Sequence, residues 1–201
     1  ALVDLAEKLG VEIHLNSEVN KILVEDDAAY GVKINGNNKR YDFIISNCDV
    51  VTTFNKMIDK KPRVTSKLNE LEPSISGMVF LWGVEAAHDQ LKHHNVIFSE
   101  NYEQEFKQIF DEKKVPDDPT IYIAISSKSD PGDAPEGCEN WYVLLNMPYM
   151  NGQDWEKETA RMRKTIMEKL KKFGIDIEDK IKYEKTFNPV DFYEDYYSNK
   201  G

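Results

Sequence analysis

The chain has 201 residues, 40% of them hydrophobic, and its 26 Lys and Arg against 36 Asp and Glu leave a formal net charge of −10. That length makes one domain or two small ones and buries roughly 70% of the extended-chain surface on folding, so a sizeable core is available. The acidic balance repels phosphate backbones and anionic lipid heads, which argues against nucleic acid as a partner and against a polybasic membrane anchor, and leaves a hydrophobic ligand open. Cys48 and Cys138 are far apart and lack CxxC partners, so they read as two reduced thiols of a cytosolic protein. No apolar run approaches the ~18 residues of a transmembrane helix. Ala1 leads directly into an amphipathic helix, not into the charged and apolar regions of a signal peptide. A helix already under way at a first residue that is not Met is expected of a piece of a longer chain.

In chain order, Leu2, Leu5, Ala6 and Leu9 fall at helical spacing, and Gly10 stands where a glycine closes a helix. Val11, Ile13 and Leu15 alternate with Glu12, His14 and Asn16, which predicts a half-buried strand. A second strand is expected from about Val19 to Val24, a turn at Glu25-Asp26-Asp27, and a return from Ala29 to Ile34. Asn35-Gly36 is the signature of a tight I′ hairpin, whose central residues both need positive φ. Tyr41, Phe43, Ile44 and Ile45 predict a further strand buried on both faces and ending at 46–49, where Cys48 reads as a small core residue.

The pattern changes at about residues 46–52. Val51 to Ile58 has helical character and meets Asp59-Lys60-Lys61-Pro62, a charged stretch ending in a helix-breaking proline. Met78 to Val84 reads as a buried strand, and Phe106, Ile109 and Phe110 share one face of a helix from Glu103 to Phe110. Thr120 to Ile125 and Trp141 to Leu145 read as strands of the same sheet, linked by the turn-rich loop Asp130 to Gly137. The longest helix carries Trp155, Thr159, Met162, Ile166, Leu170 and Phe173 on one face, with Asp154 as cap and Gly174 as terminator. Ile181, Tyr183 and Phe187 mark one side of a last strand. Asn188-Pro189 opens a short helix bearing Tyr193, Tyr196 and Tyr197.

Chemistry-bearing motifs are sparse. His14, His88, His93 and His94 form no HxxxH pair, so no metal site is expected and solvated or hydrogen-bonded imidazoles are. Asp130 and Asp133 open a turn, since Pro131 and Ala134 break the ligand alternation of a calcium loop. No GxSxG, GxGxxG or P-loop is present, so no catalytic residue can be named and the chain cannot cradle a pyrophosphate alone. Phe80, Trp82, Tyr122, Trp141 and Tyr142 concentrate in predicted strands, where aromatic density serves either a core or the wall of an elongated apolar cavity.

Gly10 to Ile22, then Gly31 to Gly36 and Tyr41 to Asp49, resemble the stretch of bacterial-type phytoene desaturases in which a β-meander completes the FAD-binding domain. Asp130-Pro131 with Ala134-Pro135-Glu136-Gly137, and Phe187 to Phe192, resemble two later signatures of that family, with Asn188 where Thr is usual. The resemblance implies a mixed α/β fragment of a two-domain FAD-linked oxidoreductase. Residues 1–50 would end the FAD-binding domain, and 51–201 would form most of a substrate domain built on a mixed or antiparallel sheet covered by helices. It implies FAD as cofactor, with Val19 offering its backbone to the adenine edge and Glu18 beside it. It also implies a hydrophobic polyene as substrate, Phe80, Trp82, Tyr122 and Trp141 as candidate cavity residues, and peripheral contact with the inner face of the membrane through an apolar patch. Retinol-saturase-like and amine-oxidase-like flavoenzymes stay open within this class, and a non-catalytic module binding a lipid or a protein outside it.

Overall fold

The computed structural model describes residues 1–59 and 62–201, so Lys60 and Lys61 of the charged stretch lie outside the described residues. Two compact units are present, Ala1–Leu71 and Glu72–Gly201.

In the first unit, α1 (Leu2–Lys8) ends as the sequence predicts. Gly10 takes φ +84°, its N–H donates to the Glu7 carbonyl at 2.9 Å, and the Val11 N–H donates to the Ala6 carbonyl at 3.0 Å. These two bonds satisfy carbonyls left over at the helix end, and the positive φ costs glycine nothing. The meander is antiparallel, β1 (Val19–Glu25), β2 (Ala28–Ile34) and β3 (Asn37–Arg40), in that order. Asp26-Asp27 and Asn35-Gly36 make its turns with positive φ throughout. After it, α2 (Val50–Thr52) runs into one π turn (Thr53–Met57), and α3 (Val64–Glu70) follows. This segment belongs with the meander. Ser46 and Thr53 share a hydroxyl hydrogen bond of 2.9 Å, and Lys21 pairs with Asp59.

Two expected strands do not form. Neither residues 11–15 nor 41–45 are in a strand, although Tyr41, at the start of the second, donates its N–H to the Tyr30 carbonyl of β2 at 3.1 Å, and Leu15, Phe43 and Ile45 are largely exposed. A strand is completed by a ladder of hydrogen bonds from a neighbour, and among the described residues neither segment is paired in a ladder. The alternation is real, but the burial on both faces expected at 41–45 is absent. Cys48 is half-buried.

The second unit is one five-stranded antiparallel sheet with helices. Its elements are β4 (Ser76–Val84), β5 (His94–Ile97), α4 (Tyr102–Phe110), β6 (Ile121–Ala124), β7 (Glu139–Met147), α5 (Trp155–Lys172), β8 (Ile181–Phe187) and α6 (Pro189–Tyr196). The strand order is β5-β6-β7-β4-β8, so the three strands expected to share a sheet do so. One face holds Met78, Phe80, Trp82, Ile121, Ile123, Trp141, Val143 and Leu145, all buried in one cluster with Met162, Ile166 and Leu170 of α5. Asp154 caps α5 by accepting from the Lys157 N–H, and Gly174 closes it.

Lys169 of α5 is buried and reaches Asp118 Oδ1 at 2.7 Å and the Pro119 and Phe98 carbonyls at 2.9 and 3.2 Å. Burial would raise the Asp118 carboxyl, but the Lys169 ammonium and the Glu100 N–H hold it below its ordinary value.

Two packing expectations are corrected. In α4 the buried face is Glu105, Gln108 and Ile109, while Phe110 is exposed. The Glu105 carboxylate accepts from the Thr120 N–H and hydroxyl at 2.8 and 2.6 Å, and Gln108 exchanges two bonds with Asp117, so polar anchoring to the strand start outcompetes aromatic burial. In β8 a register shift opposite Gly83/Val84 separates Ile181, packed against the core, from Tyr183 and Phe187 on the other face. Asn188 caps α6 in a reciprocal capping box with Asp191, with Pro189 at the first turn.

Truncating Ile166 to Ala removes a fully buried side chain and should destabilise by about 2–5 kcal/mol. Asp154→Ala should cost about 1 kcal/mol. Urea unfolding followed by tryptophan emission reads both. Phe173→Ala at the exposed end of α5 should stay within about 0.5 kcal/mol.

Candidate functional site: the open face of the five-stranded sheet

Strand geometry sends alternate side chains to opposite faces, so the residues between the core positions form a second surface. Register places them in rows across the sheet. One row runs His94, Ala124, Tyr142, Leu81, Lys185; the next runs Val96, Tyr122, Leu144, Val79, Phe187. A shorter row pairs Asn140, Gly83 and Tyr183. Phe187 stacks on Phe192 of α6 at 6.3 Å, which covers the β4/β8 end, and Val79 there is 4% exposed. Val96, Tyr142 and Tyr183 stay exposed. A cleft of about 420 Å³ lies over Leu81, Gly83, Ala124, Asn140, Tyr142 and Tyr183. Gly83 floors it, since a Cβ there would meet the Tyr183 Cβ at 3.3 Å.

Of the four aromatic residues singled out in the sequence, Phe80, Trp82 and Trp141 point into the core, with Trp82 directly opposite Trp141 across β4 and β7. Trp82 and Trp141 also count among the residues lining the cleft. Tyr122 lies on the open face, with Tyr142 edge-on to it at 6.5 Å. Alternation from Met78 onward carries the signal that separates the two faces, but nothing in it says which face α5 covers. In the first unit Val19 opens β1, the edge strand of the meander, opposite Ile34, and Glu18 precedes it. That unit also holds an apolar cavity of about 500 Å³ lined by Ile22, Val24, Ile44, Phe54 and Ile58.

One end of the cleft is fixed by a buried carboxylate. Glu139 accepts from the His88 N–H at 2.9 Å and the Trp141 indole N–H at 2.9 Å, pairs with Lys128 Nζ at 2.6 Å, and lies 2.8 Å from His88 Nδ1. Lys128 Nζ also donates to the His88 carbonyl at 2.8 Å. Burial alone would raise the Glu139 carboxyl, but the donors from Lys128, His88 and Trp141 outweigh it and hold it below the ordinary value. The cluster ties the loop after β4 to the turn that leads into Asp130–Gly137. There Asp130 caps its own turn by accepting from the Gly132 N–H at 3.0 Å. On β5 His94 Nδ1 lies 2.8 Å from the Tyr122 hydroxyl, and next to Lys128 the Ser129 hydroxyl lies 2.7 Å from His93 Nδ1. Sequence spacing gave no sign of the Glu139 cluster, because His88 and Glu139 are 51 residues apart. Among the described residues no group of three or more His, Cys, Asp or Glu is placed to hold a metal, and no helix is long and apolar enough to cross a membrane.

The fold has a solved counterpart: a crystal structure of an oxidoreductase from Methanosarcina mazei superposes with a TM-score of 0.64 over 94% of this chain and 40% of that one, at 17% identity. The two share a mixed α/β architecture with antiparallel sheets and helices. No protein-family model matches the chain. The 1-hydroxycarotenoid 3,4-desaturase of Flavobacterium sp. (strain P99-3) is 39% identical over 94% of the chain and 39% of the relative. A 4,4'-diaponeurosporene oxygenase of Staphylococcus aureus (strain USA300) is 39% identical over 100% of the chain and 41% of the relative. These relatives place the chain in a carotenoid desaturase-like family, and it spans about two-fifths of their length.

The Glu139 carboxyl is depressed, so its contribution to stability is fully present above the unfolded value of about 4.5 and is lost as pH falls through the lower folded value. The urea midpoint should therefore drop below about pH 4.5, and Glu139→Ala should abolish that part of the drop. At neutral pH the same substitution leaves Lys128 without its counter-charge and the Trp141 N–H without its acceptor and should cost about 3–5 kcal/mol.

Proposed function

We propose that the chain is an internal part of a flavin-dependent carotenoid desaturase, residues 1–50 ending the FAD-binding domain and residues 51–201 forming most of the substrate domain, with 51–71 carried in the same compact unit as the meander. The observation that carries the reading is a likeness at 39% identity to two carotenoid-modifying enzymes along 94–100% of the chain, every strand of the open-faced sheet included. The geometry supports it. A carotenoid is almost entirely hydrocarbon, and apolar surface buried against Leu81, Ala124, Tyr142 and Leu144 contributes about 25 cal/mol per Å² without any polar cluster to grip it.

A bound flavin would supply the hydride acceptor that converts an allylic carbon and its neighbour, which would give up a proton, into a new double bond. Val19 heads an edge strand, and such a strand presents an outer row of backbone N–H and C=O groups that suits the adenine edge, with Glu18 alongside. The pyrophosphate would be held by a glycine-rich segment that these 201 residues do not contain, so by themselves they are expected to be inactive. A substrate of this kind dissolves in lipid, and the reading therefore includes peripheral contact with the cytoplasmic face of the membrane through apolar surface.

Expression of the full-length polypeptide in cells that accumulate phytoene tests the reading. The purified protein should show flavin absorption, and the cell pigment should shift to longer wavelength. Gly83→Leu, which fills the cleft, should keep the flavin bands and cut conversion about tenfold or more. A protein without flavin would favour a non-catalytic module, and bound flavin with an unchanged pigment would favour reduction or amine oxidation.

A further inference from the structure

Helix α4 carries its aromatic side chains on the side away from its own sheet. Phe98, just before the helix, and Tyr102, Phe106 and Phe110 on it recur every four residues, the interval that aligns side chains along one side of a helix. Their rings form a ladder, with successive centroids 6.2, 4.7 and 5.7 Å apart. Phe98, Tyr102 and Phe110 are 66%, 52% and 45% exposed. The bonds from Glu105 to Thr120 and between Gln108 and Asp117 hold the helix in this rotation. Single exposed apolar side chains are ordinary, but a contiguous aromatic ridge marks a contact surface.

The backbone under the ridge decides what kind of contact it suits. Asn101 accepts from the Gln104 N–H at 3.0 Å at the start of the helix. At its end the Lys107 carbonyl accepts from the Asp111 and Glu112 N–H groups at 2.9 and 3.1 Å, the Gln108 carbonyl from the Lys114 N–H at 2.8 Å, and the Phe110 carbonyl from Lys113 Nζ. A surface whose backbone is satisfied from within needs only apolar contact, which hydrocarbon supplies; a strand outside any ladder needs hydrogen bonds, which hydrocarbon cannot give. The ridge is of the first kind, and residues 11–15 and 41–45 are of the second and call for protein. Phenyl and phenol rings also suit the boundary between headgroups and acyl chains.

Charge narrows the partner further. Around the ridge Glu100, Glu103, Asp111 and Glu112 stand against Lys107, Lys113 and Lys114, so there is no basic excess to draw anionic headgroups. The ridge also leads somewhere. Phe98 comes two residues after Val96, which is 48% exposed on the open face where β5 forms the edge of the sheet.

We propose that this aromatic ridge seats in the apolar boundary of a neutral lipid bilayer, and that a polyene dissolved there passes along Phe98 and Val96 onto the open face. The inference rests on the polyene reading above, which makes the substrate lipid-soluble, and adds the surface that meets the lipid.

The test mixes the full-length, flavin-loaded polypeptide with vesicles of phosphatidylcholine alone and measures co-sedimentation. The unmodified protein should bind equally well in low and high salt. Phe98→Glu combined with Phe106→Glu should weaken binding about tenfold or more, and slow conversion of a polyene supplied in those vesicles to the same degree, while conversion of the polyene supplied in detergent micelles stays unchanged. Tyr196→Glu, on the exposed part of α6 beside the opposite edge strand, should alter neither. Tyr102→Trp, which keeps the ridge aromatic, should add emission that brominated phosphatidylcholine quenches. No binding to neutral vesicles, binding that requires added anionic lipid or survives the double substitution, or new emission untouched by the brominated lipid overturns the ridge; conversion in micelles then leaves the polyene reading standing. Loss of flavin from the double variant overturns it too, because the ridge would then be packed against protein. An unmodified protein that converts the polyene in neither medium overturns both.

Discussion

Nine consecutive cross-strand pairs tie β4 to β7, from Ser76 opposite Met147 to Val84 opposite Glu139. Because side chains alternate with a period of two, that single register decides which residues of both strands meet α5 and which are left on the far side. Trp82 facing Trp141 and Phe80 facing Val143 fall on the α5 side; Leu81 facing Tyr142 and Gly83 facing Asn140 fall on the other. A slip of β7 by one residue against β4 would bring Asn140 and Tyr142 under α5 and turn Trp141 out. The two surfaces are therefore one decision: a core dense enough to hold the sheet flat against a helix leaves behind it a face whose small residues, Gly83 and Ala124, make room for something else.

Buried charge then fixes the frame around that face. Lys169 crosses from α5 to hold residues 98 and 118–119 at one end of the sheet, and Glu139 holds residue 88 and Lys128 near the other. Neither group adds much net stability over an apolar substitute of the same shape, because the loss of hydration offsets most of the attraction. Their effect is geometric. Each charge is satisfied by donors or acceptors from two separate loops, so those loops have one arrangement in which the charge is paired, and the rim of the cleft is set by the same side chains that close the core. The His93, His94 and Tyr122 rings are set in the same manner, by hydrogen bonds and stacking between β5, β6 and the turn at Ser129.

Local signals were legible in the sequence and long-range ones were not. Gly10, Gly36 and Gly174, the Asp154 and Asn188 caps and the meander turns act within a few residues, and each stands where its pattern placed it. The strands at 76–84 and 139–147 were readable from their apolar and aromatic content. The facing of their aromatics was not, since Phe80 and Tyr142 look alike as strand residues and are told apart only by the cross-strand register. Amphipathic reading failed on α4 because Glu105 and Gln108, polar by type, are anchored inward by Thr120 and Asp117. It failed on β8 because a single register shift separates Ile181 from Tyr183. Of the candidate site, Tyr122 was visible as one aromatic among several. Its partner His94 was visible only as a histidine without a metal motif.

The strand-like segments at 11–15 and 41–45 make the same point from the other side. Their alternation and apolar content are as strong as those of β1, yet among the described residues neither is paired in a sheet ladder, and Phe43 and Ile45 are 90% and 94% exposed. Exposed apolar edges of this kind invite pairing with other chains, and folded proteins cover them. On the reading proposed here the cover is the remaining three-fifths of the polypeptide, whose relatives extend well beyond the matched region. A period-two pattern then records a partner that the pattern itself cannot identify. The same logic separates the two units: the sheet of the second carries its own core and its own open face, whereas the first keeps its turns and meander but leaves its most apolar segments addressed to surface that lies elsewhere.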